Sequence, residues 1–165
     1  MFDVLVFVYE NYWRGDACPD TQQLERKLSA HGFDAGEIHE ALVWLDGLTL
    51  AAQHTVAAPE VALAASEDCS PNRQASTSLR VYSVAEQDHL GAQCLGFISF
   101  LESSGVLPAA MREIVLDRAM AAPGDPVSLD ELKIIVLMVY WSFGEQPDAL
   151  ILDELCDDSQ GRIAH

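Results

Sequence analysis

Asp34-Ala-Gly-Glu-Ile-His-Glu-Ala-Leu-Val-Trp-Leu-Asp-Gly-Leu-Thr-Leu-Ala-Ala-Gln53 decides the fold, because its two halves read differently. In the first half Ile38, Ala41, Leu42 and Leu45 recur at steps of three and four, which puts them on one side of an amphipathic helix. Asp34 with Glu37 three residues on forms a capping box for that helix, which runs to about Asp46. Then the pattern shifts. Leu48-Thr-Leu-Ala-Ala-Gln53 is short, with apolar and β-branched content, and reads as a strand. Leu79-Arg-Val-Tyr-Ser83 has the same character and is its pairing partner in a short hairpin.

Toward the N-terminus, Phe2, Leu5, Val6, Tyr9 and Trp13 recur near helical spacing and predict a first helix from about Phe2 to Tyr12. Turn formers in the segment from Arg14 to Asp20 interrupt it. A short second helix carries Leu24 and Leu28 and stops near His31-Gly32, where glycine accepts the left-handed conformation of a helix end. Ala57 to Ser78 is rich in Ala, Ser, Pro and Asn with little periodicity, and reads as a mobile loop between the two strands. Three helices followed by a hairpin is the order of a winged helix-turn-helix, so residues 1–83 are expected to form a winged-helix-like domain.

Beyond Ser83 the pattern is helical throughout. Ser83 and Glu86 form a capping box for a fourth helix with a stripe of Leu90, Cys94, Phe97, Ile98 and Leu101, closed near Gly105. Pro108 suits the first turn of a fifth helix carrying Met111, Ile114, Val115 and Ala119. Ser128 and Glu131 form a third box, opening a sixth helix through Leu132, Ile135, Val136, Val139 and Tyr140. That helix is apolar nearly all round from Ile134 to Trp141, as befits the central member of a bundle. The expectation is mainly α: a C-terminal helical bundle over 84–157, with a weak helix at 148–155 and a frayed tail at 158–165.

Half of the 165 residues are hydrophobic, enough for a substantial core. The formal charge is −17, from 26 acidic and 9 basic residues, and both halves of the chain are acidic. Nucleic-acid backbones are held by clustered Lys and Arg, so no direct nucleic-acid contact is expected. The would-be recognition helix, Asp34 to Asp46, carries four carboxylates and no Lys or Arg, where base readout and phosphate docking lean on cations and amides. The four cysteines, Cys18, Cys69, Cys94 and Cys156, form no CxxC pair. The histidines are scattered and no HExxH occurs, so no metal is expected. GxSxG, GxGxxG and P-loop motifs are absent too, leaving no catalytic residue or cofactor to name. The apolar N-terminus carries Asp3 and lacks a basic leader, and the run from Ile134 to Trp141 falls well short of the roughly 20 residues that span a bilayer. The reading is cytoplasmic, with no membrane contact.

Five residues stand out. Arg80 and Tyr82 alternate on one face of the second strand, just before the box that contains Glu86. An arginine there can make a fork-like pair with a carboxylate, as an interdomain pin or as a partner contact. Trp13 and Trp44 each lie beside an apolar helical face, where tryptophan serves either core packing or an interface hot spot. Trp141 is read as core.

Met1-Phe-Asp-Val-Leu5, Leu79-Arg-Val-Tyr-Ser-Val-Ala-Glu86, Gly96-Phe-Ile-Ser-Phe-Leu-Glu102 and Leu132-Lys-Ile-Ile-Val-Leu-Met-Val139 together resemble the bacterial Smg protein family. The resemblance covers nearly the whole chain in the right order, apart from Ala57 to Ser78. It implies a cytoplasmic bacterial protein and brings no activity, cofactor or catalytic residue with it. The leading expectation is a non-catalytic interaction or regulatory protein that offers an acidic surface to a basic protein partner. An enzyme with a site at the domain joint is the rival from another class, and a DNA-binding winged helix stands behind both.

Overall fold

The computed structural model describes residues 1–12, 21–61, 80–124 and 126–145. Six helices follow one another: α1 (Phe2–Tyr12), α2 (Thr21–Ala30), α3 (Ala35–Val61), α4 (Val84–Ser103), α5 (Ala109–Met120) and α6 (Leu129–Phe143). Trp13, most of the 57–78 segment, the 148–155 helix and the 158–165 tail lie outside the described residues.

The hairpin is overturned. Residues 48–53 are the middle of α3, and residues 80–83 form no strand. The helical period wins because the buried positions do not stop at Leu45. Ile38, Ala41, Trp44, Leu45, Leu48 and Ala52 continue at steps of three and four along one buried face. Leu-Thr-Leu imitates a two-residue alternation over too short a window to outweigh that longer register. Gly47 is closely approached by α5: a Cβ there would meet Arg118 Nη1 at 2.0 Å. The Thr49 hydroxyl donates to the Leu45 carbonyl (3.0 Å), a bond across one helical turn. Among the described residues there is no strand to build a wing, so the winged-helix assignment falls; the mainly α class stands.

α6 occupies the middle, packing on α1, α3, α4 and α5, while α2 packs on α3. Its buried set includes Leu132, Ile135, Val136, Met138 and Tyr140, in keeping with its all-round hydrophobicity. One buried cluster runs from Met1 to Tyr140, so α1 and α3 share their core with α5 and α6. Both Ser-x-x-Glu boxes form. The Ser83 and Ser128 hydroxyls accept from the Glu86 and Glu131 amides, and each glutamate reaches back to its cap's backbone N–H.

α4 is kinked at Gly91, whose φ of 67° and ψ of 171° suit glycine alone. The kink bears on the packing around it. The His89 carbonyl accepts from Val127 N (2.9 Å), and the Cys94 thiol donates to the Val127 carbonyl (3.4 Å). Residue 127 is thereby held on both sides by α4 just before α6 begins.

Candidate functional site

The residues expected at the joint come together, and more tightly than spacing alone implied. Arg80 lies in the segment entering α4, where it faces Glu86 in the first turn of α4 and Glu113 in the second turn of α5. Its Nη2 and Nη1 donate to the two Glu86 oxygens (2.8 and 3.2 Å), while Nε and Nη2 donate to Glu113 (2.9 and 3.0 Å). The Tyr82 ring lies below, with its centroid 5.0 Å from Cζ. Glu113 also accepts from Arg112 Nη2 (2.7 Å), and Arg112 Nη1 donates to Glu102. The result is a chain of alternating charge, Glu86, Arg80, Glu113, Arg112 and Glu102, that joins both ends of α4 to the start of α5.

Arg112 is buried, Arg80 and Glu86 are mostly buried, and Glu113 is about half exposed, at 47%. The hydrogen bonds from Arg80, with help from the Ser83 amide and hydroxyl, hold Glu86 down at about 2. Glu113 is pushed up by burial, but the bonds from Arg80 and Arg112 together outweigh this and lower it. The same bonds to Glu86 and Glu113 raise Arg80 further above its already high value. At neutral pH Glu86 and Glu113 are ionised and already engaged by guanidinium groups. Such a network clamps helices; neither of its shifted acids titrates near pH 7, where proton transfer would need one to do so.

Sequence reasoning missed Glu113, Arg112 and Glu102. A signal existed for Arg112: it shares a helical register with Val115, Leu116 and Ala119, so its stem had to enter the core and its head had to find a carboxylate. Trp44 lies elsewhere, on α3, and is buried at 4% exposure. Its indole N–H donates to the Arg118 carbonyl near the end of α5 (3.0 Å), so it is a packing residue with a satisfied polar handle. Trp141 is packed against the core and its indole reaches the Tyr12 carbonyl (3.5 Å).

An open pocket of about 420 Å³ lies beside Trp44, lined by His39, Glu40 and Val43 of α3 and by Arg118, Ala121 and Pro123 at the end of α5. Arg118 is paired with the neighbouring Asp117 (2.7 Å). Among the described residues no group of three His, Cys, Asp or Glu side chains could hold a metal ion. Among them, too, no helix is long and apolar enough to cross a membrane.

A family model described as "Protein of unknown function (DUF494)" matches residues 1–165. The chain belongs to this family. Its relatives carry the name anticipated from the sequence segments. The Protein Smg homolog of Leptothrix cholodnii is 59% identical over 165 residues, and that of Methylibium petroleiphilum 57% identical over 166. The Protein Smg homolog of Bordetella pertussis is 46% identical over 165 residues. In all three comparisons the whole of both chains is covered. The Smg resemblance therefore holds along the full length, including the segment at 57–78 where no resemblance was read. No solved structure matches the chain.

Proposed function

We propose that this DUF494 (Smg) family member is a non-catalytic interaction or regulatory protein that presents an acidic surface to a basic protein partner in the cytoplasm. The observation that carries the reading is how the cations are used. Among the described residues, Arg80, Arg112 and Arg118 are bonded to the protein's own carboxylates, and Lys133 is buried. The exposed basic side chains among the described residues are those of Arg26 and Lys27 on α2. Asp3, Glu10, Asp34, Glu40, Asp46, Asp88 and Glu145 meanwhile lie exposed on or just beside four of the helices. A chain of net charge −17 whose Arg80, Arg112 and Arg118 are engaged by its own carboxylates projects a negative field, which speeds encounter with a cationic partner. Burial of a small apolar patch then holds the complex.

The test is affinity capture from a bacterial lysate on the immobilised full chain, at about 50 and about 500 mM salt. An unrelated chain of matched length and charge serves as the control. The expected outcome is a basic protein retained at low salt by this chain and not by the control. Identical retention by the two matrices would refute the proposal.

A further inference from the structure

The outer face of α3 brings exposed apolar side chains and carboxylates together in one stripe. Val43 and Leu50 are 60% and 51% exposed. They stand seven residues apart, about 10 Å along the axis and on the same side of the helix. Glu40 precedes Val43 by three residues; Asp46 follows Val43 by three and precedes Leu50 by four. Both are therefore on that stripe, and both are exposed. Among the described residues neither makes an ion pair with a side chain. The open pocket adjoins Val43, and its far wall is the end of α5, where a helix presents partial negative charge. The cations at this rim, Arg118 and the Met1 N-terminus, are already paired with Asp117 and Glu37.

We infer that this face is the docking surface for an amphipathic helix of the partner, with Leu- or Ile-type anchors along one stripe and Lys or Arg beside them. The inference rests on the function proposed above and assigns the partner a form and a place. Helix-on-helix recognition reads anchors at three-, four- and seven-residue spacing, of which Val43 and Leu50 supply the seven-residue step from this side. Charge selects the occupant. A second copy of this chain would set Glu40 and Asp46 against like charges and bring another net charge of −17, so self-association is disfavoured. A helix carrying Lys and Arg finds counter-charges on both sides of Val43. Phe100 on α4 is also exposed, at 55%, but its neighbours one helical turn away, Gly96, Phe97, Ser103 and Ser104, carry no carboxylate to pair with a basic side chain.

The test places a photo-crosslinking residue in the full chain at Val43 and, separately, at the exposed Gln93 of α4, in cells of a bacterium that carries the gene. The expected result is a partner adduct from position 43 and none from position 93, with the linked peptide net basic and apolar at helical spacing. With that partner purified, the V43S/L50S double variant should bind about tenfold more weakly, with an unchanged melting temperature. The E40Q/D46Q double variant should lose about threefold at low salt and nothing at high salt. Adducts with a second copy, a linked acidic peptide, or equal adducts from both positions would overturn the inference. A salt-sensitive partner that links at 93 alone would overturn this placement while leaving the proposed function standing. Loss of every salt-sensitive partner would overturn both.

Discussion

Replacing Arg80 by Met keeps the stem and removes the charge that joins Glu86 to Glu113. Glu86 sits at about 2 against an ordinary 4.5, a difference equivalent to about 3 kcal/mol. Part of that comes from the Ser83 amide and hydroxyl, which remain in the variant. The Glu113 arm is half exposed, and such pairs contribute up to about 1 kcal/mol after screening. The net expectation is a loss of about 2 kcal/mol at neutral pH, measured by urea unfolding followed by far-UV circular dichroism. The pH dependence follows from the sign of the shift. Glu86 is depressed in the folded protein, so its contribution is fully present above the unfolded value of about 4.5 and is lost as pH falls toward 2. The gap between the parent and R80M should therefore shrink to roughly half by about pH 3. A gap below about 0.5 kcal/mol at neutral pH, or one that stays constant down to pH 3, would refute the clamp.

Thr49→Pro removes an amide donor in the middle of α3 at an exposed position, so it should cost about 3 kcal/mol and visible helicity by circular dichroism. An edge strand would tolerate it far better. Gly91→Ala meets nothing within 4 Å, so its cost is purely conformational. A loss of about 1–3 kcal/mol by calorimetry is expected, and an unchanged melting temperature would contradict the kink. Trp44→Phe strips the indole donor from the Arg118 carbonyl, and thermal unfolding should show about 1–2 kcal/mol lost. Tyr140→Phe should cost about 1 kcal/mol in the same assay, because it leaves the Val106 carbonyl without its hydroxyl donor.

The helical elements were legible wherever two local signals agreed. Ser83 with Glu86 and Ser128 with Glu131 each combined a cap with a following apolar register, and both boxes form where expected. The sixth helix was legible as central because it had no polar face to turn outward. The hairpin misled because the short apolar, β-branched Leu48-Thr-Leu50 run mimics a strand. The approach of Arg118 from α5 to Gly47 depends on tertiary contacts that no local window contains. Arg80 was legible as a fork next to a capping glutamate. Its second carboxylate, Glu113, comes from 33 residues further along the chain, and only folding brings it there. The α3 face escaped notice for a related reason: Val43 and Leu50 lie off the buried stripe, and an exposed valine or leucine has no local mark that separates a docking anchor from an ordinary surface residue.

The ionic-strength dependence of affinity between the full chain and its captured partner tests the electrostatic claim most directly. Titration at rising salt is expected to weaken binding by about tenfold or more between 50 and 500 mM, mainly through a slower association rate. An affinity that stays flat over that range, or a partner that binds through an acidic surface of its own, would contradict the account.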